Sequence, residues 1–341
     1  MNNLHKGKVN QRECMNIFRF TETPGRTAFA HGREYLFFSG YAYLGMQHVP
    51  EFIALIKEGI DKYGWLFPSS RISNTQLALH EECEALLSSV TQTEDTVLVS
   101  SGFMAGKLAT ALWRNEVFNL EPSHPAIQTN NNTATKKDAH VFAVDSVNVL
   151  TTGFTDFSFA NNNEQKIIII DDSHGIGLIG KNGEGICSSL ITNKSTSYVL
   201  TYSLSKAWNI TGGAVSSSKI IADTLRTLPQ YTAGTPPSPA MLYAFIKGQH
   251  LYDLQRNKLK NNIAYFQLLI KDLDQIRFNP ALPVFILPET MNEQKLLEKN
   301  IIISSFSYPD PSGKKIQRIV INALHTKVDL EILADVLAEE F

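Results

Sequence analysis

The sequence of 341 residues predicts an α/β protein in which helices cover a mostly parallel central sheet. Short apolar runs without polar alternation recur between residues 96 and 218, as expected of strands that are buried on both faces. Helical patterns follow two of these runs directly. After about residue 236 a long helical pattern gives way to short strand patterns, which predicts a smaller α+β domain at the C-terminus.

Each element is predicted from its local pattern. Strands rich in Val, Ile, Leu, Phe and Tyr are expected at 96–102, 140–146, 166–172, 197–203 and 213–218. Helices are expected at 50–63, 75–89, 104–113, 219–228, 239–275 and 327–340. Further strands are expected at 284–287, 301–306 and 315–324, with a strand and turn at 35–45 and a polar surface loop at 128–139.

The composition narrows the class of protein. Hydrophobic residues make up 43% of the chain, charged residues 19%, and the net charge is −2, which indicates a soluble globular protein without a nucleic-acid partner. The longest aliphatic run, 167–170, is too short to cross a bilayer, and no secretory signal begins the chain. Cys14, Cys83 and Cys187 lie too far apart to suggest a disulfide framework or a zinc site. We therefore expect a cytoplasmic protein with no metal and no membrane partner.

Three groups able to carry chemistry stand at the carboxyl ends of predicted strands, where doubly wound sheets bind ligands. Asp171 ends one strand, Lys206 follows another, and the turn 100–102 leads from a strand into a helix. A lysine amine can join an aldehyde, a carboxylate can keep a pyridine nitrogen protonated, and a helix N-terminus can bind phosphate. Each group alone fits an ordinary turn or surface residue. Their combination predicts a site for pyridoxal 5′-phosphate (PLP).

Longer motifs carry a resemblance to a known family. The segments DDSHGIGLIGKNGEG (171–185), YSLSKAWNITGGAVSSS (202–218) and 69–106 resemble the signatures of the α-oxoamine synthases of the 8-amino-7-oxononanoate synthase type. These are PLP-dependent enzymes of fold type I. The similarity extends from about Tyr35 to His325. It implies an N-terminal segment at 1–45 that packs with the small domain, a large PLP-binding domain at 46–238 and a small domain at 239–341.

The resemblance also implies a role for each matching residue. Lys206 matches the lysine that holds PLP as a Schiff base and moves the Cα proton, Asp171 the partner of the pyridine nitrogen, and His174 the histidine beside the ring hydroxyl. His124 matches the histidine that stacks on the ring, although it could be a surface histidine. Arg318 matches the arginine that binds the substrate carboxylate, for which its bidentate fork is suited, although it could be a snorkelling surface residue. The residues matched to the phosphate site are Ser101, Gly102, Phe103 and Ser203.

The reaction that the resemblance implies is condensation of an amino acid with an acyl-CoA, with decarboxylation, to an α-amino ketone. A homodimer is also implied, in which residues 232–237 reach the partner's phosphate. Departures from the family keep an alternative open. Ala42 replaces an asparagine that helps to hold the carboxylate, Phe67-Pro68 replaces a glycine-rich run, and the span 124–145 is short. The alternative is an aminotransferase, or an amino-acid lyase or decarboxylase, that uses PLP but not CoA.

Overall fold

The computed structural model describes residues 17–129, 139–160, 164–190, 195–307 and 313–341. Most of the polar loop expected at 128–139 therefore lies outside the described residues. The chain divides into two compact units. The larger unit contains Tyr41–Val149 and Gly153–Leu259, and the smaller unit contains the described residues up to Gly40, Leu150–Thr152 and Lys260–Phe341. The three-part domain organisation expected from the sequence stays a prediction.

The elements are numbered in chain order. The strands are β1 (Thr27–Ala30), β2 (Arg33–Phe38), β3 (Asp95–Val99), β4 (Val117–Asn119), β5 (Val141–Asp145), β6 (Val147–Asn148), β7 (Gly153–Phe154), β8 (Lys166–Asp171), β9 (Thr196–Ser203), β10 (Gly213–Ser217), β11 (Arg277–Phe278), β12 (Val284–Ile286), β13 (Ile301–Ser307) and β14 (Lys315–Val320). The helices are α1 (Pro50–Tyr63), α2 (Ala78–Thr91), α3 (Gly102–Ala111), α4 (Lys219–Leu225), α5 (Pro229–Thr232), α6 (Pro239–Lys247), α7 (Gln249–Leu269), α8 (Glu293–Glu298) and α9 (Lys327–Ala338).

The larger unit is built on a sheet with the strand order β3-β10-β9-β8-β5-β4. Strands β4, β5, β8 and β9 run parallel, and β10 is antiparallel to both of its neighbours. The mostly parallel sheet predicted from the sequence is thereby confirmed. Asp145 pairs with Asp171, and Asp171 pairs with Thr201, so β5, β8 and β9 end at one edge of the sheet. The residues that follow these strands meet at that edge.

The core of this sheet explains why its strands lack polar alternation. Ile169 of β8, Val199 of β9 and Val215 of β10 are fully buried against Ala105 and Leu108 of α3. A strand covered by helices gains from apolar side chains on both faces, at roughly 25 cal/mol for each Å² of apolar surface removed from water. The sheet therefore provides a rigid support for the loops at its carboxyl edge.

The largest departures from the predicted helices are at 239–275 and 219–228. The pattern at 239–275 predicts one helix, but the structure forms α6 and α7 with Gly248 between them. A Cβ at Gly248 would lie 2.8 Å from the carbonyl oxygen of Ala244 and 3.1 Å from the ring of Phe52, so close packing requires glycine there. The helix predicted at 219–228 ends at Leu225, and Pro229 begins a separate short helix.

The smaller unit contains a sheet with the order β1-β2-β13-β14-β12-β11. Strand β2 pairs with β13 in parallel, while the other neighbours are antiparallel. The strand expected at 315–324 ends at Val320. In this unit Phe38 stacks on His325 at 4.2 Å between ring centroids, and burial lowers the pKa of His325 to about 4. In the described part of the chain, no helix combines the length and the apolar character that a membrane crossing requires.

Candidate active site

The amine of Lys206 lies in a line of three hydrogen-bonding side chains. Lys206 follows β9 in the turn that leads to β10, and its Nζ is 2.8 Å from Nε2 of His174. The other ring nitrogen of His174, Nδ1, is 2.8 Å from the hydroxyl of Tyr43. Tyr43 is buried, with 3% of its surface exposed. The structure therefore brings together two of the predicted residues, and it adds a tyrosine that the sequence prediction did not single out.

Asp171 stands at the end of β8, beside the strands that carry Lys206 and Asp145. Its Oδ1 accepts the N–H of Ser173 at 3.0 Å, and its Oδ2 lies 3.8 Å from Nδ1 of His124. Asp171 is buried, with 8% of its surface exposed. A buried carboxylate at this position can stabilise a positive charge placed beside it, such as a protonated pyridine nitrogen.

His124 lies between β4 and β5, and hydrogen bonds formed by its backbone N–H and by its ring fix its orientation. Its Nδ1 accepts the N–H of Ala126 at 3.1 Å, so this nitrogen carries no proton. Burial lowers the pKa of His124, which agrees with a neutral ring. The contact of 3.8 Å with Asp171 is therefore not an ion pair in this state. A neutral, half-buried imidazole next to Asp171 is suited to pack against an aromatic ring.

Asp145 holds the turn that carries His124. Its Oδ1 accepts the N–H of His124 at 2.8 Å, and its own N–H donates to the carbonyl oxygen of Pro122 at 2.8 Å. Burial, assisted by the neighbouring charge of Asp171, raises the pKa of Asp145 to about 8. Asp145 lies inside the strand predicted at 140–146, and the sequence prediction assigns it no role at the site. Its place at the site depends on its pairing with Asp171 on the neighbouring strand, and a single sequence does not reveal the register of two strands.

Asp172 has a structural role next to the candidate catalytic residues. Its carboxyl group accepts hydrogen bonds from the Ser146 hydroxyl and from the N–H of Ile186 at 2.9 Å. Burial raises the pKa of Asp172 to about 7. A Cβ at Gly185 would lie 2.0 Å from Oδ2 of Asp172, so the turn closes tightly around this side chain. Asp172 thereby fixes the loop that carries His174.

The first turn of α3 lies beside the end of β9. Ser101 caps the helix, because its Oγ accepts the N–H of Met104 at 3.1 Å. The N–H groups of Gly102 and Phe103 donate to no acceptor in the part of the chain that the structure describes. A Cβ at Gly102 would lie 2.6 Å from Cβ of Ser203, so only glycine allows the helix to approach the strand this closely.

Serine hydroxyl groups lie beside this first turn of α3. The Oγ atoms of Ser203 and Ser205 are 2.8 Å apart, and Ser203 is buried. The N–H groups of Gly102 and Phe103, which have no acceptor among the described residues, lie at the positive end of a ten-residue helix, and together with the two hydroxyls they fit the phosphate of PLP. The side chain of Phe103 is 52% exposed and lies under Nζ of Lys107, 5.4 Å from the ring centroid. The backbone of Phe103 is therefore its candidate contribution to this site.

Arg318 belongs to the smaller unit. It lies on β14 between Ser304 and Ile286, and its guanidinium carbon is 5.2 Å from the ring centroid of Phe306. Its proposed role at the substrate carboxylate stays a prediction. In the larger unit, Leu66 and Pro68 are exposed and Phe67 is half-buried, so the segment that departs from the family lies at the surface of this unit.

Comparison with known proteins decides the family. The profile of the family described as aminotransferase class I and II matches residues 154–337, which is more than half of the chain. The chain belongs to the aminotransferase class I and II family. The match contains Asp171 and Lys206, two of the three groups from which PLP was predicted, and the turn 100–102 lies before it.

Individual relatives refine this assignment. This family member is 27% identical to 8-amino-7-oxononanoate synthase of Petrotoga mobilis, over 75% of each chain. It is 26% identical to the synthase of Coprothermobacter proteolyticus, covering 96% of this chain and 94% of that protein. Serine palmitoyltransferase from S. paucimobilis, solved with PLP bound, superimposes with a TM-score of 0.80 at 18% identity, covering 95% of this chain and 92% of that chain.

These matches confirm several predictions. The fold is that of the PLP-dependent transferases of fold type I. The resemblance to the α-oxoamine synthases is confirmed, as are the enzyme class, a PLP-dependent transferase, and the cofactor. The relatives support a reaction of the α-oxoamine synthase type.

Proposed function

We propose that the protein condenses an amino acid with an acyl-CoA, using PLP bound covalently to Lys206. The observation that carries this proposal is the contact of 2.8 Å between Lys206 Nζ and His174 Nε2, at the sheet edge where Asp171 ends β8. When bound, PLP supplies an aldehyde that joins amines and a pyridinium ring that accepts electrons. The residues of the chain then have to hold the cofactor, orient the substrate and move protons.

Each residue has a proposed task. Lys206 holds the cofactor and, once an amino acid has displaced it, its free amine takes the Cα proton. Asp171 keeps the pyridine nitrogen protonated, because a buried carboxylate stabilises a neighbouring cation. His124 packs its neutral ring against the cofactor. The N–H groups of Gly102 and Phe103 and the hydroxyl of Ser203 bind the phosphate. Arg318 pairs with the substrate carboxylate.

The atoms and charges of the proposed reaction balance. The Cα–H bond breaks, and a C–C bond forms between Cα and the acyl carbon as the thioester C–S bond breaks and the sulfur takes up a proton. The bond from Cα to the carboxylate then breaks to release CO₂, and a proton returns to Cα to form a new C–H bond. The amino acid, acyl-CoA and one proton yield the α-amino ketone, free CoA thiol and CO₂. No oxidant or reductant is required. The support for the acyl step is the similarity to 8-amino-7-oxononanoate synthases along nearly the whole chain.

A second candidate is an aminotransferase, or an amino-acid lyase or decarboxylase, that does not meet CoA. The observation in its favour is Ala42, whose side chain cannot donate a hydrogen bond to a substrate carboxylate, together with Phe67-Pro68 in place of a glycine-rich run. Both departures fall where the second substrate of the family would be bound.

Two measurements test the proposal. Borohydride reduction of the protein with PLP should attach the cofactor irreversibly to the peptide that contains Lys206, and Lys206→Ala should abolish the adduct. Glycine, alanine and serine are then added with and without acyl-CoA, and free thiol is measured. Thiol release that requires one amino acid supports the synthase. Conversion of bound PLP to its amine form without thiol release favours the aminotransferase, and an adduct elsewhere contradicts the role of Lys206.

A further inference from the structure

The line Lys206–His174–Tyr43 has a consequence for the proton on His174. Nζ of Lys206 contacts Nε2, and the Tyr43 hydroxyl contacts Nδ1, each at 2.8 Å. The two rings do not stack, since their planes are tilted by 58° and their centroids are 6.3 Å apart. The hydroxyl therefore meets the edge of the imidazole, where its nitrogens can form hydrogen bonds.

The state of Lys206 dictates the tautomer of His174. A lysine ammonium group can only donate, so Nε2 must accept from it, and Nδ1 must carry the ring proton. Nδ1–H then donates to the oxygen of Tyr43. When Lys206 is no longer an ammonium group, Nε2 can carry the proton instead, and Nδ1 becomes an acceptor for the Tyr43 O–H. A hydroxyl serves both states because it can donate and accept.

The backbone around Tyr43 is held firmly. Its N–H donates to the carbonyl oxygen of Tyr41 at 2.9 Å, and the next carbonyl oxygen, that of Leu44, accepts from the side chain of Gln255 in α7 at 2.9 Å. The N–H of Met46 donates to Oδ1 of Asn209 at 3.0 Å. A tyrosine fixed on both sides in this way keeps its hydroxyl at a constant place, so it can orient the imidazole ring.

We infer that Tyr43 is a positioning residue that fixes the orientation of His174. It also permits the tautomer of His174 to change when Lys206 gains or loses a proton. The consequence for the reaction rests on the proposed function, since it requires that Lys206 exchange between a protonated and a bound form. The resting tautomer does not depend on it, because it follows from the free lysine alone.

The test measures the tautomer directly in cofactor-free protein at neutral pH. The histidines are labelled with ¹⁵N, and long-range ¹H–¹⁵N spectra assign Nδ1 and Nε2 of His174 by comparison with His174→Asn. The wild type should show a proton on Nδ1 and none on Nε2. In Tyr43→Phe the proton should stay on Nδ1, because Lys206 still donates to Nε2, but Nδ1–H loses its acceptor, so its ¹H chemical shift should change and its exchange with water should become faster. The matched control is Tyr252→Phe, another buried tyrosine that loses one hydroxyl hydrogen bond, to the carbonyl oxygen of Trp208; its His174 signals should equal those of the wild type.

Two results would overturn the inference. One is a wild-type His174 with its proton on Nε2, an outcome that needs no variant to fold. The other is an Nδ1–H signal in folded Tyr43→Phe with the same chemical shift and the same exchange rate as in the wild type. A kinetic measurement supplements them: Tyr43→Phe should lower kcat at least threefold with little change in KM for the amino acid, and Tyr252→Phe should not. If the wild type forms no PLP adduct at Lys206, the proposed function fails, while the tautomer result stands by itself.

Discussion

Asp145 and Asp171 end neighbouring parallel strands in register, and the environment of this pair makes stability depend on pH. Burial, with the nearby charge of Asp171, raises the pKa of Asp145 to about 8, compared with about 3.9 in an unfolded chain. The folded state therefore binds this proton more tightly. Its stabilising contribution is complete below about pH 4 and is lost as the pH rises through about 8.

We predict that Asp145→Asn removes this dependence in cofactor-free protein. The amide oxygen can still accept the N–H of His124, while no charge develops in the buried site. The melting temperature of the variant should rise relative to the wild type between pH 5 and pH 8, as measured by thermal unfolding monitored by circular dichroism. Asp156→Asn is the control, because Asp156 is exposed and its pKa is already low, so both forms are constant over this range. Parallel curves for Asp145→Asn and the wild type would contradict the prediction.

The residues of the site differ in how visible they are in the sequence. Lys206, Asp171 and His174 follow apolar strand runs, so the α/β pattern alone places them at one edge. Tyr43 was hidden because it lies in a turn without periodicity, and its role arises from contact with a residue 131 positions away. Asp145 was hidden because cross-strand register decides its role. Side chains that act through other side chains leave no local signal.

At the scale of elements, the start of α3 combines a cap and a close approach to β9. We predict that Gly102→Ala weakens PLP binding at least tenfold, because its Cβ would lie 2.6 Å from Cβ of Ser203 and the helix end must shift. Ser101→Ala removes the cap and should cost about 1 kcal/mol of unfolding free energy. Its backbone can stay in place, so PLP affinity should fall less. Fluorescence titration with PLP and denaturant unfolding separate the two effects, and equal PLP affinity in Gly102→Ala and the wild type would refute the first.

The elements themselves were predictable where local pattern and packing agree. The helix expected at 50–63 has the bounds of α1, since Pro50 begins it and apolar residues share one face. The prediction of one continuous helix at 239–275 was wrong. The helix is interrupted at Gly248, where close contact with Phe52 of α1 requires glycine. Among the described strands, the short β4 pairs with β5 alone, and its three residues give too little pattern to predict. Tertiary contacts decide these cases.

For the whole molecule, we expect a homodimer. Several large apolar side chains of the larger unit are exposed in the single chain, among them Trp65 at 74% and Ile72 at 69%, and such residues favour burial against a partner. Sedimentation should give twice the 38.0 kDa of the chain. Trp65→Lys should shift the equilibrium toward monomer, whereas Asp156→Lys, which changes an exposed charged residue of the same unit, should not. An unaltered dimer in Trp65→Lys would exclude Trp65 from the interface.

The arrangement of the dimer determines whether two inactive variants can complement each other in a mixed dimer. If residues 232–237 of one chain reach the phosphate site of its partner, Lys206→Ala and Thr235→Asp fail in different sites. Lys206→Ala lacks the amine, and Thr235→Asp sets a carboxylate against the phosphate of the neighbouring chain. In a mixed dimer one site then receives the intact lysine and the intact segment. Unfolding and refolding an equal mixture should therefore restore about a quarter of the wild-type activity, because half of the dimers are mixed and each has one sound site. Each variant refolded alone should stay inactive. If a mixture that contains mixed dimers recovers no activity, residues 232–237 act on the phosphate site of their own chain.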